Sequence, residues 1–151
     1  SRRSEIAAAT TLRAARPGAS APPHAVASFS VSFRDLTPTD DGPAVRVLDL
    51  HGELDAHTAP EFENALQACL DQGHTRLVVA GENLRYVSSA GLGVFMAFLE
   101  PVRQGGGDLK VAALTEEVFE VFDLLGFPIL FDLSPTTEEA AARFTATDDA
   151  P

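Results

Sequence analysis

The stretch YVSSAGLGVFMAFL, from Tyr86 to Leu99, constrains this chain more than any other. A strand-like Tyr-Val runs into two serines, two glycines and a strongly apolar run, so a strand must become a helix within a few residues. Ser88 or Ser89 suits the N-cap, because a serine oxygen accepts a hydrogen bond from an N–H that the first helical turn leaves unpaired. Gly91 and Gly93 lack a Cβ and let another backbone or a partner approach that turn closely. A phosphate added to a serine here would face free N–H groups and the positive end of the helix dipole. Its charge of about −1.5 to −2 would change what docks on the surface. The plainer reading is a Ser-Ser pair that only caps the helix.

Elements on both sides fit an alternating α/β chain. Val26 to Phe33 alternates with the period of a half-buried strand, and Val45 to Leu50, across the turn-rich TPTDDGP, reads as its hairpin partner. Thr58 is a candidate cap, with Pro60 in the first turn and Glu61 three residues after the cap. The helix it opens carries Phe62, Leu66, Cys69 and Leu70 at helical spacing and stops at Gly73. Arg76 to Ala80 reads as a buried parallel strand feeding the loop GENLRYV, and the central helix spans about Ala90 to Arg103. A strand over Leu109–Leu114, a helix over Glu116–Leu125, a short strand over Ile129–Phe131 and a helix over Thr136–Phe144 complete the pattern. The expectation is a small mixed sheet of about five strands with about four helices packed on it. Residues 1–28, rich in Ala, Arg and Pro, read as a disordered extension, 29–145 as the domain and 146–151 as a frayed tail. The extension resembles a transit peptide in composition only, and the chain opens without Met, as a fragment would.

Charge narrows the choice of partners. Four arginines against one glutamate give residues 1–28 a charge of +3, so the remainder carries −14 of the total of −11. An acidic domain repels phosphate backbones, which argues against nucleic acid and suits a basic protein partner. No window approaches the run of about 20 apolar residues that a membrane span needs. The single Cys69 excludes an internal disulfide and fits a reducing compartment, the cytoplasm.

Enzyme chemistry finds little support. A nucleophile elbow needs Gly-x-Ser-x-Gly, but Val87 stands two residues before Ser89 and only Gly91 matches. His51, Glu53, Asp55 and His57 alternate at two-residue spacing, yet no familiar ligand pattern supports a metal site, and no phosphate loop is present. The chain is read as a non-enzyme without metal or cofactor. The uninterrupted VFMAFL run, Val94 to Leu99, is more apolar than one helix face needs, so Phe95, Met96 or Phe98 either stays partly exposed as an interface or is covered by helices on both sides.

Three stretches then fall into a known order: GELDAHTAPEF (Gly52–Phe62), YVSSAGLGVF (Tyr86–Phe95) and VFEVFDLLGF (Val118–Phe127). With these, Val45 to Phe144 resembles the STAS domain of anti-sigma-factor antagonists, and the resemblance implies the STAS fold. For stand-alone members it implies a cycle. The unmodified antagonist binds an anti-sigma factor that is also a serine kinase and so frees a sigma factor; phosphorylation of one serine ends that binding; a PP2C-type phosphatase restores it. Matched on the motif, the phosphoacceptor is Ser89, with Ser88 second, and Asp55 matches a family acid in the loop near it. The implied partner surface holds Asp55, His57 and Thr58 together with Ser88, Ser89, Ala90, Gly91, Leu92 and Phe95. Three positions depart from the family pattern: its usual Asp before the acceptor is Ser88 here, its following Ser or Thr is Ala90, and an acid often seen at the end of the preceding strand is Ala80. The alternative is a non-phosphorylated STAS module, a signalling scaffold or an accessory subunit of a lipid or anion transporter.

Overall fold

The computed structural model describes residues 29–38 and 42–147. The expected N-terminal extension, the first residues of the first strand and the last residues of the tail lie outside them. Five strands stand in sequence order across one sheet: β1 (Phe29–Leu36), β2 (Val45–Leu54), β3 (Arg76–Val87), β4 (Asp108–Ala112) and β5 (Leu133–Ser134). The β1–β2 hairpin is antiparallel, and every later pairing is parallel. Between them run α1 (Ala59–Asp71), α2 (Ser89–Gln104), α3 (Glu116–Leu124), the one-turn α4 (Phe127–Leu130) and the closing α5 (Thr137–Thr147).

Period-two alternation assigns the strands' side chains to two cores. Leu77 and Val79 of β3 join Leu48 and Leu50 of β2 beneath α1 to α4, while Val78 and Ala80 join Val45 and Val47 against Ala140, Ala141 and Phe144 of α5. The larger core centres on phenylalanines: Phe95 lies 4.9 Å from Phe62, 5.3 Å from Phe122 and 6.0 Å from Phe131, measured between ring centroids. On the other face, half-buried acids and a buried cation fasten α5. Lys110 Nζ lies 3.1 Å from Asp132 and 4.6 Å from the centre of the Phe144 ring, and Arg143 reaches Asp132 at 2.6 Å. Burial pushes the Asp132 carboxyl up, but its bonds to Arg143 and Lys110 outweigh this and leave it below the usual carboxylate range.

Several boundaries differ from those read in the sequence. The segment GENLRYV is strand, not loop: β3 pairs with β4 only as far as Ala80 and then overhangs it, held by β2 alone. Its polar residues Glu82, Asn83, Arg85 and Tyr86 are exposed where β4 no longer flanks the strand. Two bulges let β3 carry extra residues opposite β2, between Asp49 and His51 and between Gly52 and Glu53. The strand expected at Ile129–Phe131 is mostly helix. Gly126, at φ +78°, ends α3, and Pro128 suits the first turn of α4. That turn puts Phe127 and Phe131 four residues apart on one side, their rings stacked at 5.2 Å.

Candidate functional site

The site forms where β2 and β3 end together. The Ser88 N–H donates to the Leu54 carbonyl at 2.9 Å, tying the start of α2 to the turn that follows β2. Ser88 is the cap: its backbone is extended (φ −103°, ψ 173°), and its hydroxyl accepts from the Gly91 N–H at 3.5 Å. Ser89 is therefore the first helical residue, and both it and Ala90 are exposed. The apposition is close. A Cβ on Gly91 would lie 2.6 Å from Leu54 Cγ and 3.1 Å from the Leu54 carbonyl oxygen, so the glycine is what lets α2 start against β2.

Across this junction Asp55 organises its own turn. Its carboxylate accepts the N–H groups of His57 at 2.9 Å and Thr58 at 3.1 Å. Desolvation pushes the Asp55 carboxyl up, yet the N–H groups of Thr58 and His57, the Thr58 hydroxyl and the nearby imidazole together draw it below the ordinary carboxylate value. Thr58 stands at the N-cap position of α1 as expected, but its side chain makes no capping bond. Its hydroxyl turns back to donate to the Glu53 carbonyl at 2.8 Å and to accept the Asp55 N–H at 2.8 Å, closing the turn from within. The acceptor side chain in this segment is Asp55, an Asx-type turn.

The residues expected to form a partner surface divide in two. His57, Ser89 and Ala90 are exposed, and Asp55, Thr58 and Ser88 are half-buried beside them. Gly91, Leu92 and Phe95 are not available to a partner: Phe95 is 0% exposed at the centre of the aromatic cluster, Leu92 is buried with it, and Gly91 is sealed by Leu54. Phe98 is buried as well, which leaves Met96 and Ala97 as the exposed members of the apolar run. Helices cover the rest because α2 lies between α1 and α3. Tyr86, half exposed one residue before the end of β3, belongs to this end of the molecule, although the expected partner surface does not include it.

The four alternating residues considered for metal do not converge. His51 Nε2 pairs with Ser32 Oγ at 3.3 Å on the hairpin, Asp55 is committed to its turn, and no cluster of His, Cys, Asp or Glu suited to a metal occurs among the described residues. Cys69 is buried, its thiol pushed up to about 11 by desolvation and so protonated at neutral pH. None of the helices among the described residues is long and apolar enough to cross a membrane.

A sequence profile of the STAS domain matches residues 37–140. The chain belongs to the STAS domain family. It is 37% identical over 95 residues to BtrV of Bordetella bronchiseptica, spanning 63% of this chain and 82% of the relative. It is 32% identical over 91 residues to the anti-sigma-B factor antagonist of Bacillus subtilis, spanning 60% and 83%. Among solved structures, an anti-sigma factor antagonist from Mycobacterium paratuberculosis superposes with a TM-score of 0.67 at 26% identity, over 78% of this chain and 95% of that one. These relatives of the STAS protein all carry the name of anti-sigma factor antagonists.

Proposed function

We propose that this chain is an anti-sigma-factor antagonist gated at Ser89. Unmodified, it binds an anti-sigma factor with serine-kinase activity and frees a sigma factor; phosphorylated on Ser89, it lets go; a PP2C-type phosphatase resets it. The observation that carries this reading is the division of labour between the two serines. Ser88 supplies the cap, so the hydroxyl of Ser89 is exposed on the first turn of α2, next to the Asp55 turn. The transfer is ordinary chemistry. Ser89 Oγ forms a bond to the γ-phosphorus of ATP, the bond to ADP breaks, and the hydroxyl proton passes to a base of the kinase. The new dianion sits at the positive end of α2, where the fold accommodates it, and close to the anionic Asp55 turn, where it deepens the negative charge a partner meets.

The test is intact-mass and phosphopeptide mapping after incubation with ATP and a candidate kinase, alongside binding measurements. Ser89→Ala is expected to bind and to take up no phosphate, and Ser89→Asp to bind at least about tenfold more weakly. Equal binding by Ser89→Asp and the unmodified protein overturns the gating. One observation favours a second reading: Ser88 and Ala90 flank the acceptor with no acid and no second hydroxyl after it. A STAS module that binds constitutively predicts a stable complex and no phosphate in the same experiment.

A further inference from the structure

We propose that the turn joining α3 to α4 is a second docking surface, built for a cationic amphipathic helix of a partner protein. Residues 124–130 read LLGFPIL, an apolar sequence that belongs in a core. Here Phe127 is buried, whereas Leu124 is 83% exposed, Leu125 54%, Ile129 88% and Leu130 41%. The geometry explains why. Gly126 reverses the chain in the left-handed region, so Phe127 and Phe131 turn inward to the aromatic cluster and the remaining apolar side chains are carried outward on both sides of the turn. Contiguous apolar surface of this kind, in a fold whose core is already filled, marks an interface.

The charge around it selects the occupant. Between Lys110 and Arg143 there is no basic residue at all, and the exposed face of α3 presents Glu116, Glu117, Glu120 and Asp123. The nearest cation, Arg103, is spent: it donates to the Leu130 carbonyl at 2.8 Å and pairs with Asp108 at 2.8 Å. A second copy of this chain would bring the same acids against themselves, and nucleic acid or an anionic membrane would be repelled. What fits is an apolar stripe flanked by Lys or Arg, laid along α3 with its apolar side chains over the turn.

The surface lies away from Ser89. Arg103, in the last turn of α2, touches Leu130, while Ser89 opens the same helix, so the two residues stand about 21 Å apart along its axis. A helix docked on the α3–α4 turn leaves Ser89 uncovered, and this proposal stands or falls independently of the gating.

The experiment uses the full chain, isotope-labelled, titrated with a synthetic amphipathic Leu/Lys helix and, separately, with a Leu/Glu helix of the same pattern. Amide shifts confined to residues 116–131, with Ser89 and Asp55 unmoved, are expected for the Leu/Lys helix alone. Leu124→Ser with Ile129→Ser should weaken it by about tenfold or more, with thermal unfolding unchanged because both side chains are exposed. A second variant, Glu120→Lys with Asp123→Lys, keeps the apolar turn and should lose the preference for Leu/Lys. Shifts scattered over all acidic segments, equal binding of the Leu/Glu helix, or concentration-dependent shifts of residues 124–130 without peptide would each overturn it, the last by assigning the surface to a second copy.

Discussion

Gly91 and Gly93 stand two residues apart on the same helix and face opposite circumstances. A Cβ at Gly91 would meet Leu54 at 2.6 Å, whereas one at Gly93 would meet nothing within 4 Å. Gly93→Ala is therefore expected to raise stability by about 0.5–1 kcal/mol, through helix propensity alone. Gly91→Ala must push α2 off β2 and lower stability by about 1–3 kcal/mol, displacing Ser88 and Ser89 with it. Chemical denaturation of the two single variants checks the contrast, and two equal effects would deny Gly91 its role. Asp55 makes a different prediction at the same scale. Its carboxyl lies below the ordinary value in the folded chain, so its contribution is fully present above the unfolded value of about 4 and is lost as pH falls through the folded value. The amide resonances of His57 and Thr58 should shift together with that protonation, at a pH below the ordinary carboxylate value. In Asp55→Asn, which cannot ionise, the step should vanish.

Elements reveal where local sequence carries the fold and where it does not. The helix stops at Gly73 and Gly126, the cap ahead of α2 and the antiparallel hairpin rest on near neighbours in the chain, and all are legible in the residues. The far half of β3 is not. Gly81, Glu82 and Asn83 look like a loop because the strand overhangs its neighbour, and the pairing of His51 with Asn83, Gly52 with Leu84, Glu53 with Tyr86 and Leu54 with Val87 across the sheet makes it a strand. The same limit governs the site. That one of two serines caps was readable; that Ser88 takes the role depends on the Leu54 carbonyl holding its N–H. The apolar run of α2 leaves open whether Phe95 is exposed or covered, and the excess is absorbed by α1 and α3, whose positions lie in the topology and not in the local pattern.

At the scale of the molecule, charge controls how a partner arrives. The chain beyond residue 28 carries a net −14, and its exposed acids are spread over both ends of the domain, so a basic partner is drawn in from a distance before any side chain touches. The candidate site itself holds few charges, Asp55 chief among them, and one oxygen of Asp55 already accepts the N–H groups of His57 and Thr58. Long-range attraction and short-range fit are thereby separated. Salt should act on the first and spare the second, because the Debye length falls from about 10 Å at 0.1 M to about 3 Å at 1 M. Stopped-flow association with a serine-kinase anti-sigma factor should slow by about tenfold or more between 0.05 and 0.5 M salt, with the dissociation rate changing little. The reverse pattern, a salt-sensitive dissociation at constant association, would mean that the acids make direct contacts in the complex, and the surface charge would then belong to the site and not to the approach.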